Sequence, residues 1–262
     1  MELSRLFKSA ADKLLATAGF HLVPSWRWDR LAHALHLRRL FQHFSIDCVL
    51  DVGANKGQFR DFLRMEVEYQ GAIVSFEPIP ALADRLRACA RTDGHWEVHG
   101  CALGALNGEM TLNVMKATEL SSFLRPRAAD LEPSFAKDLS RVNSVQEEIR
   151  VPVRTLDAVF PTIQRRLGCV APFLKLDTQG FDVEVARGGP GAMPQMLAIQ
   201  TEASLIPIYY GMPSYAEAIS AFQSLGFDVS GQFPIDNQFP TLVEFDCVMV
   251  NRRARNPVKD NS

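Results

Sequence analysis

The sequence lacks the features that define several large classes of protein. No run of about 18 apolar residues occurs, so no membrane-spanning helix is expected. The formal net charge is −2, which gives no global indication of nucleic-acid binding. Internal repeats and low-complexity tracts are also missing. With 262 residues, 47% hydrophobic and 22% charged, the chain is typical of one large globular domain with decorations.

Cysteines are few and scattered along the chain. They are Cys48, Cys89, Cys101, Cys169 and Cys247. No two have C-x-x-C spacing, so neither a zinc site nor a disulfide framework is indicated. We expect reduced core thiols in a cytoplasmic protein. Charged residues among the first 18 positions, such as Glu2 and Arg5, argue against a signal peptide.

Residues 48–59 contain the motif around which the chain is organised. Val49 to Val52 is typical of a short buried strand, apolar except for Asp51, and Gly53 and Gly57 bracket the turn that follows. Helical spacing of apolar residues begins at Phe59. A strand, glycine turn and helix in this order opens many nucleotide-binding α/β sheets. Glycine is favoured in the turn because a Cβ would block close approach of the backbone to a ligand.

Two common phosphate-binding motifs do not fit this turn. A dinucleotide site has G-x-G-x-x-G and a P-loop ends in Lys-Ser or Lys-Thr, whereas here Asp51 precedes Gly53-x-x-x-Gly57. An acid before such a turn suits a ligand with a cationic end. The aminoacyl and sulfonium end of S-adenosylmethionine is a ligand of this kind.

A second acidic strand end supports a nucleoside ligand. Residues 72–77 predict a strand that ends in Glu77 and is followed by Pro78. In a βαβ unit, the acid that ends the second strand accepts hydrogen bonds from both ribose hydroxyls. Asp51 and Glu77 together therefore predict an adenosine-cofactor site.

Alternating strands and helices continue along the chain. Strands are predicted at 49–52, 72–77, 96–100, 173–177 and 197–202, with an antiparallel pair at 227–229 and 245–250, and helices at 57–66, 80–91, after 179 and at 215–225. Asp51, Glu77, Asp177 and Glu202 end predicted strands, at the sheet edge where open α/β sheets bind ligands. We assign the first two to the cofactor and the last two to the substrate.

An insert at about 109–154 interrupts this alternation. Residues 109–115 and 150–154 predict a pair of strands, and 116–148 is long and polar, with a short helix expected near 131–141. A segment of this length between two strands is usually a functional lid or a disordered insert. We expect a lid that helps to define the substrate cavity.

The first 45 residues predict a helical extension. Apolar spacing indicates helices at 2–18 and 28–44, separated by Pro24. Seven Lys and Arg residues against three Asp and Glu give this segment a balance of +4. One interpretation is a helical cap on the sheet edge with a solvated basic face. The other is a docking surface for an anionic membrane or a lipid-linked substrate.

Five motifs in this order resemble the FkbM family of S-adenosylmethionine-dependent methyltransferases. They are Val-Leu-Asp-Val-Gly-Ala-Asn-x-Gly, Phe-Glu-Pro, Ala-Leu-Gly, Thr-Leu-Asp and Leu-Lys-Leu-Asp-Thr-Gln-Gly-Phe-Asp, and Phe-Asp-Cys-Val-Met-Val closes the series. The resemblance runs from about 46 to 250. It implies a class I methyltransferase fold, with a mostly parallel seven-stranded sheet, an antiparallel final strand and helices on both faces. The predicted organisation is an extension at 1–45, a methyltransferase domain at 46–252 and a polar tail at 253–262.

The resemblance also implies roles for individual residues. The residues around the first motif, Asp51, Gly53, Ala54, Asn55 and Gly57, would hold the methionine part of the cofactor. Glu77, with Pro78, would hold the ribose, and Ala102 with Leu103 would border the adenine. The family is known for O-methylation of hydroxyls on sugars and polyketide-type metabolites, which favours a glycan or secondary-metabolite acceptor.

Asp177 is the candidate base or orienting group for the acceptor hydroxyl, with Gln179 and Glu202 beside it. The alternative for Asp177 is the N-cap of the helix that begins near 179. Many family members have Glu where this chain has Gln179, so a role that needs charge at that position is in doubt. A divalent metal held by Asp177, Asp182 and Glu202 would require these side chains to converge, which the sequence does not establish.

Two rival functions stay open at the level of sequence. One is a methyltransferase with a non-hydroxyl acceptor, such as a carboxyl or an amine; nucleic acid is disfavoured by charge, and no N/D-P-P-Y motif is present. The other is a non-catalytic binding module that keeps the fold. The retained cofactor motifs, with Asp51 and Glu77, favour an enzyme.

Overall fold

The computed structural model describes residue 24 and residues 28–127, 144–238 and 241–255. The predicted helix at 2–18 and the short helix near 131–141 lie outside these residues. Of the predicted polar tail, the first residues form a single helical turn.

Ten strands form the two sheets of this part of the chain. They are β1 (Cys48–Val52), β2 (Ala72–Phe76), β3 (Trp96–His99), β4 (Ala102–Leu103), β5 (Gly108–Met115), β6 (Val145–Arg154), β7 (Pro172–Leu176), β8 (Ala198–Ser204), β9 (Phe227–Gln238) and β10 (Thr241–Asn251).

Helices precede, connect and follow these strands. They are α1 (Trp28–Phe44), α2 (Gln58–Phe62), which continues as a π-helical turn (Leu63–Val67), α3 (Pro80–Ala90), α4 (Leu156–Leu167), α5 (Asp182–Arg187), α6 (Tyr215–Ser224) and α7 (Arg252–Arg255). Local sequence defines their ends. A capping box of Ser214 and Glu217 begins α6, and Thr155 caps α4, which ends at the left-handed Gly168. None of the helices in these described segments is long and apolar enough to cross a membrane.

The main sheet has seven strands in the order β3-β2-β1-β7-β8-β10-β9. The first five are parallel, and β10 is antiparallel to both of its neighbours. The chain leaves β1 toward β2 on one side, and β7 lies on the other, so a topological switch point falls between β1 and β7. The predicted seven-stranded sheet with an antiparallel final strand is confirmed.

Both faces of the sheet are covered by helices, as predicted. Phe160 of α4, Val185 of α5 and Phe222 of α6 pack into the core on one face. On the other face, Leu37 of α1, Phe62 of α2 and Leu86 of α3 do so. The central strands are apolar on both sides because both are buried.

Helix α1 lies on a face of the sheet rather than at its edge, in contrast to the expected edge cap. Leu37, Leu40 and Phe41 form an apolar stripe that packs against Phe173 of β7 and Val248 of β10. This position over the middle of the sheet is the one in which the apolar stripe is removed from water. Whether residues 1–27 contact a membrane stays a prediction.

A second sheet of three strands, in the order β4-β6-β5, forms beside the first. The predicted antiparallel pair of the insert is present as β5 and β6, and β6 begins earlier than expected, at Val145. The final hairpin is also longer than predicted, because β9 extends over Phe227–Gln238. The described cysteines are free, but Cys89 is exposed rather than in the core.

Candidate active site

A cavity of about 560 Å³ opens at the carboxyl ends of the parallel strands. The loops after β1, β2 and β7 line it, together with residues of β8, β10, α1 and the insert. Its volume is within the range of small-molecule sites, and the edge is the one where open α/β sheets bind ligands.

The turn after β1 brings the backbone close to the end of β7. Gly53 has φ +82°, and a Cβ built on it would lie 1.9 Å from the backbone oxygen of Asp177. No residue other than glycine fits here, since both the conformation and the space exclude a side chain. The next residues, Ala54 and Asn55, line the cavity, and Asn55 is itself left-handed with φ +47°.

Glu77 is held rigidly at the end of β2. One carboxylate oxygen accepts the N–H of Asn55 at 2.7 Å and the other accepts the N–H of Ile79 at 2.8 Å. The side chain is only 3% exposed, yet it lines the cavity with Pro78. Burial raises the pKa of Glu77 to about 7, against the effect of the two backbone donors. Each oxygen retains a lone pair that could accept from a diol.

Two of the predicted cofactor residues do not line the cavity. The Asp51 side chain is fully buried, accepts from Ser75 Oγ at 2.9 Å and lies 3.2 Å from Lys175 Nζ. Gly57 has φ +87° and precedes α2, where a Cβ would touch Leu86 and Trp96. Both residues therefore support the loop from the side that faces away from the cavity.

A row of polar side chains crosses the sheet at one level, which sequence reasoning missed. Ser75, Asp51, Lys175 and Gln200 occupy paired register positions on β2, β1, β7 and β8, and all four are buried. Ser75, Asp51 and Lys175 each interrupt an otherwise apolar strand, and this repeated interruption was the available signal; Gln200 lies in the more polar β8. The apolar core lies below the row, and the cavity lies above it.

Lys175 is the cation of this row. Its Nζ lies 3.2 Å from Asp51 Oδ1 and 3.2 Å from Asp177 Oδ2, and donates to the Gly53 carbonyl at 3.2 Å. Burial lowers the pKa of Lys175, but Asp177 and Asp51 raise it by more, so the ammonium form is favoured. It ties the first turn to the candidate catalytic acid.

The three predicted catalytic residues are brought together. Gln179 Nε2 donates to Asp177 Oδ1 at 3.2 Å and to Glu202 Oε2 at 2.8 Å. Gln179 has φ +52°, and it also accepts from Tyr209 Oη at 3.2 Å. One neutral amide thus bridges two carboxyl groups in the cavity.

Asp177 does not cap the following helix. Helix α5 begins at Asp182, whose Oδ1 accepts from both the N–H and the hydroxyl of Thr178. Thr201 Oγ1 donates to the other oxygen at 2.6 Å. No side chain caps α5, whose N-cap residue is Phe181, and the Asp177 carboxylate, which is 37% exposed, lines the cavity.

The electrostatics of the substrate side favour protonated acids. Burial, followed by the charge of Asp177, raises the pKa of Glu202 well above its usual range, and Glu244 and Asp246 add to the shift. Within the described residues, no group of three or more acids, histidines or cysteines is arranged to hold a metal ion. The proposed convergence of Asp177, Asp182 and Glu202 on a metal is therefore not supported.

The predicted adenine residues and part of the insert also line the cavity. Ala102 and Leu103 form β4 and are buried. From the insert, residues 118–123 contribute, and Ser122 Oγ donates to the Gln179 carbonyl at 2.8 Å. The lid remains a prediction because residues 128–143 lie outside the described segments.

Sequence reasoning missed the contribution of α1. Asp29, Arg30 and His33 line the cavity from its first turns. No local sequence motif marks the residues of α1 that line the cavity. They differ from the core residues of the same helix only in their position along it.

The fold and cavity are those of the class I methyltransferases, with an antiparallel strand in a seven-stranded sheet and a ligand cavity at the switch point. A model of the FkbM methyltransferase domain matches residues 51–229, more than half of the chain. The chain belongs to the FkbM family of S-adenosylmethionine-dependent methyltransferases. A search of curated proteins gave no match.

Several solved structures are similar to this chain in fold. An FkbM methyltransferase from Methylobacillus flagellatus is 14% identical, with a TM-score of 0.46 over 78% of this chain and 43% of that one. Fibrillarin from Aeropyrum pernix, with bound S-adenosylmethionine, is 13% identical, with a TM-score of 0.42 over 78% and 66%. The magnesium protoporphyrin IX methyltransferase of Synechocystis, with S-adenosylmethionine bound, is 8% identical, with a TM-score of 0.43 over 88% and 86%. The chain thus covers less than two thirds of the length of the first two of these proteins.

Proposed function

We propose that the chain is an O-methyltransferase that uses S-adenosylmethionine and methylates a hydroxyl of a sugar, a glycan or a secondary metabolite. One observation carries the proposal. A single cavity contains both Glu77, with its two oxygens fixed by backbone donors, and Asp177, the acid at the end of β7, which is separated from β2 by β1.

The residues on the cofactor side fit an adenosine cofactor. Glu77 would accept from the ribose hydroxyls, Ala102 and Leu103 would border the adenine, and the Gly53–Asn55 turn would hold the methionine part. When bound, S-adenosylmethionine supplies an electrophilic methyl group. The product of the transfer is S-adenosylhomocysteine.

The residues on the substrate side fit the deprotonation of a hydroxyl. Asp177 Oδ1 and Oδ2 are positioned by Gln179 and Lys175, which leaves further lone pairs for an acceptor O–H. Asp177 would take the proton as the oxygen attacks, when the acidity of the alcohol rises. Positioning of the two reactants would supply much of the remaining rate.

The charge of the cavity disfavours a carboxyl acceptor. Asp177, Glu202, Glu244 and Asp246 line it, whereas its cations are Arg30 and the paired Lys175. An anionic acceptor would meet the Asp177 carboxylate and, above about pH 7, the ionised Asp246, which costs affinity. An amine is not disfavoured on this ground, so the product, O-methyl or N-methyl, decides between the two by mass spectrometry.

The proposal extends to the source of the acceptor. We infer a lipid-linked or nucleotide-linked glycan of cell-surface polysaccharide biosynthesis, methylated in the cytoplasm, with peripheral membrane contact through the basic first 45 residues. Family habit and the local charge support this inference. Equal sedimentation of the protein with anionic and neutral liposomes would exclude the membrane contact.

The first experiment is calorimetric titration of S-adenosylhomocysteine into the purified protein. We expect one-to-one binding, weakened about 100-fold by Glu77→Ala, because two charge-assisted hydrogen bonds are lost. Asp84→Ala, at an exposed position of α3, is the matched control and should bind like the wild type. No binding by the folded wild type would overturn the proposal in favour of a binding module.

A further inference from the structure

One wall of the cavity is built from segments outside the match to the FkbM model. We call this the outer wall, formed by Arg30 and His33 of α1, Ile235 of β9 and Asp246 of β10. It lies over β8 and β10, away from the strands that carry Glu77 and the first turn. The match to the FkbM model therefore does not extend to these residues, although Asp246 belongs to the Phe-Asp-Cys-Val-Met-Val motif of the resemblance.

Two hydrogen bonds through Gln200, and a close approach of His33 to Asp246, form a ring of contacts that organises the outer wall. Gln200 Oε1 lies 3.0 Å from His33 Nε2, and Gln200 Nε2 donates to Asp246 Oδ1 at 2.8 Å. The ring closes where His33 Nδ1 lies 3.5 Å from Asp246 Oδ2. If Nε2 donates to the amide oxygen, Nδ1 carries a lone pair toward the carboxyl group, so a single proton is held between His33 and Asp246.

Packing fixes His33 in this position. Its ring stacks on Phe233 at 4.6 Å and 11°, and it also contacts Phe62 at 5.1 Å. The side chain of His33 is therefore nearly immobile between two aromatic rings. It can orient Asp246 but has little surface of its own for an acceptor, since His33 is 7% exposed.

Burial is the main reason why a proton is favoured on Asp246 rather than on His33. Burial lowers the pKa of His33 to about 4, the Gln200 hydrogen bond opposes this, and His36 and Arg30 of its own helix lower it further. Burial raises the pKa of Asp246 to about 7, and Asp177 adds to this. The hydrogen bond from Gln200, Lys175 of β7 and Arg30 of α1 act in the opposite direction, while the acid neighbours Glu202 and Glu244 flank the site.

The register of the sheet aligns three acids in a row. Asp246 pairs directly with Glu202 across β10 and β8, and Glu202 is bridged by Gln179 to Asp177 after β7. Side chains that face each other in this way have Cβ atoms about 5 Å apart. The row begins at the candidate base and ends at the outer wall, and a ring with several hydroxyls can contact all of it.

We propose that Asp246 binds a hydroxyl of a neutral, hydroxyl-rich acceptor directly and that His33 is the positioning residue that orients it. The proposal rests on the methyltransferase function proposed above. It goes further because it names the chemistry of the acceptor and the wall that recognises it. The neighbouring hydroxyls would contact Glu202, and the hydroxyl at Asp177 would be methylated.

The test is saturation-transfer NMR on protein saturated with S-adenosylhomocysteine. The probes are neutral methyl hexosides and methyl deoxyhexosides, with methyl glucuronide as the anionic comparison. We expect at least one neutral glycoside to bind, and at pH 8 the glucuronide to bind at least about tenfold more weakly, because Asp177 and the ionised Asp246 repel its carboxylate. Asp246→Asn should weaken the neutral probe about tenfold.

A second set of variants separates positioning from packing. His33→Phe keeps the ring between Phe62 and Phe233 but removes the hydrogen bond to Gln200 and the polar contact with Asp246, and His33→Gln restores the donor to Gln200. His36→Phe, on the same helix and outside the cavity lining, is the matched control. We expect weaker glycoside binding in His33→Phe, partial recovery in His33→Gln and wild-type binding in the control.

The pH dependence of glycoside binding separates a positioning role from packing, because a loss of packing alone would not shift it. Wild-type binding of the neutral glycoside should strengthen from pH 6 to 8, as the Asp246 carboxyl ionises and becomes a better acceptor. The profile should be flat in Asp246→Asn. In His33→Phe its midpoint should fall, because the Nδ1 lone pair that favours the protonated acid is gone.

The outcomes distinguish this proposal from the function on which it rests. If S-adenosylhomocysteine binds but every neutral glycoside fails, or Asp246→Asn and His33→Phe bind the probe like the wild type, the outer wall is not the acceptor site. Stronger binding of the glucuronide has the same meaning. If S-adenosylhomocysteine itself does not bind, the proposed function fails first.

Discussion

The two ends of the cavity are built in different ways. At the cofactor end, consecutive residues act mainly through their backbone: Gly53 approaches Asp177, and Asn55 and Ile79 donate to Glu77. At the acceptor end, side chains from distant segments form a network, with His33, Gln200 and Asp246 at its centre. A backbone site keeps its geometry when neighbouring side chains change, whereas a side-chain network can be altered one residue at a time. The first arrangement suits an invariant ligand and the second a variable one.

Lys175 joins the two ends, and its removal should have the largest effect on stability. Lys175→Met leaves Asp51 buried without its cation, which should cost about 3–5 kcal/mol in the free energy of unfolding. Urea denaturation measures this loss. The unpaired Asp51 would have a raised pKa in the folded variant, so the deficit should shrink as the pH falls toward 4.

Two further variants check this prediction. The double variant Lys175→Met with Asp51→Asn should recover most of the lost stability, because no buried charge is left unpaired. Arg87→Met, which breaks an exposed pair with Asp84, should change the stability by no more than about 0.5 kcal/mol. Equal losses at positions 87 and 175 would mean that the buried row is not a stabilising unit.

Asp177 should affect turnover without affecting the cofactor end. With a neutral glycoside that is found to be methylated, Asp177→Asn should lower kcat by about 100-fold or more, while the Kd for S-adenosylhomocysteine stays within about threefold. Steady-state kinetics and calorimetry give the two numbers. Retained turnover in Asp177→Asn, with Asp84→Asn as control, would remove Asp177 as the base.

Gln179→Glu should show why an amide stands between two carboxyls here. The variant loses the bridging donor and places a third acid beside Asp177 and Glu202. We expect the free energy of unfolding to fall by about 1–3 kcal/mol at pH 8. The folded pKa of the new acid would be raised above its unfolded value, so the loss should grow as the pH rises from about 4. Urea denaturation at pH 5 and 8 measures the difference, and a pH-independent loss would contradict this account.

The pH dependence of cofactor binding should be the smallest of these effects. The pKa of Glu77 is raised to about 7, and its ionised form accepts better from ribose hydroxyls. Affinity for S-adenosylhomocysteine should therefore rise about tenfold between pH 6 and 8 and stay flat in Glu77→Gln. Asp246→Asn should keep the dependence, which separates the cofactor end from the outer wall.

The difference between the two ends also explains what the sequence could predict. The alternation of strands and helices along the chain and the roles proposed for Gly53 and Glu77 follow from short local motifs with a known spacing. Lys175 was missed because it is a lone polar residue in an apolar strand, and Gln200 because only the register of the sheet aligns it with Lys175. His33 was missed because it meets Gln200 across 167 residues of chain. Gly57 faces Leu86 and Trp96 rather than the cavity, and the spacing of the motif alone does not reveal this packing.

Helix α1 has a consequence for how the chain folds during synthesis. Its stripe packs on β7 and β10, and His36 reaches Ser230, 194 residues later. At a ribosomal rate of about 5–20 residues per second, the helix waits on the order of 10–40 s before its partners exist. During that time its apolar side is open to chaperones, and the cavity is completed only when the C-terminal hairpin has been released.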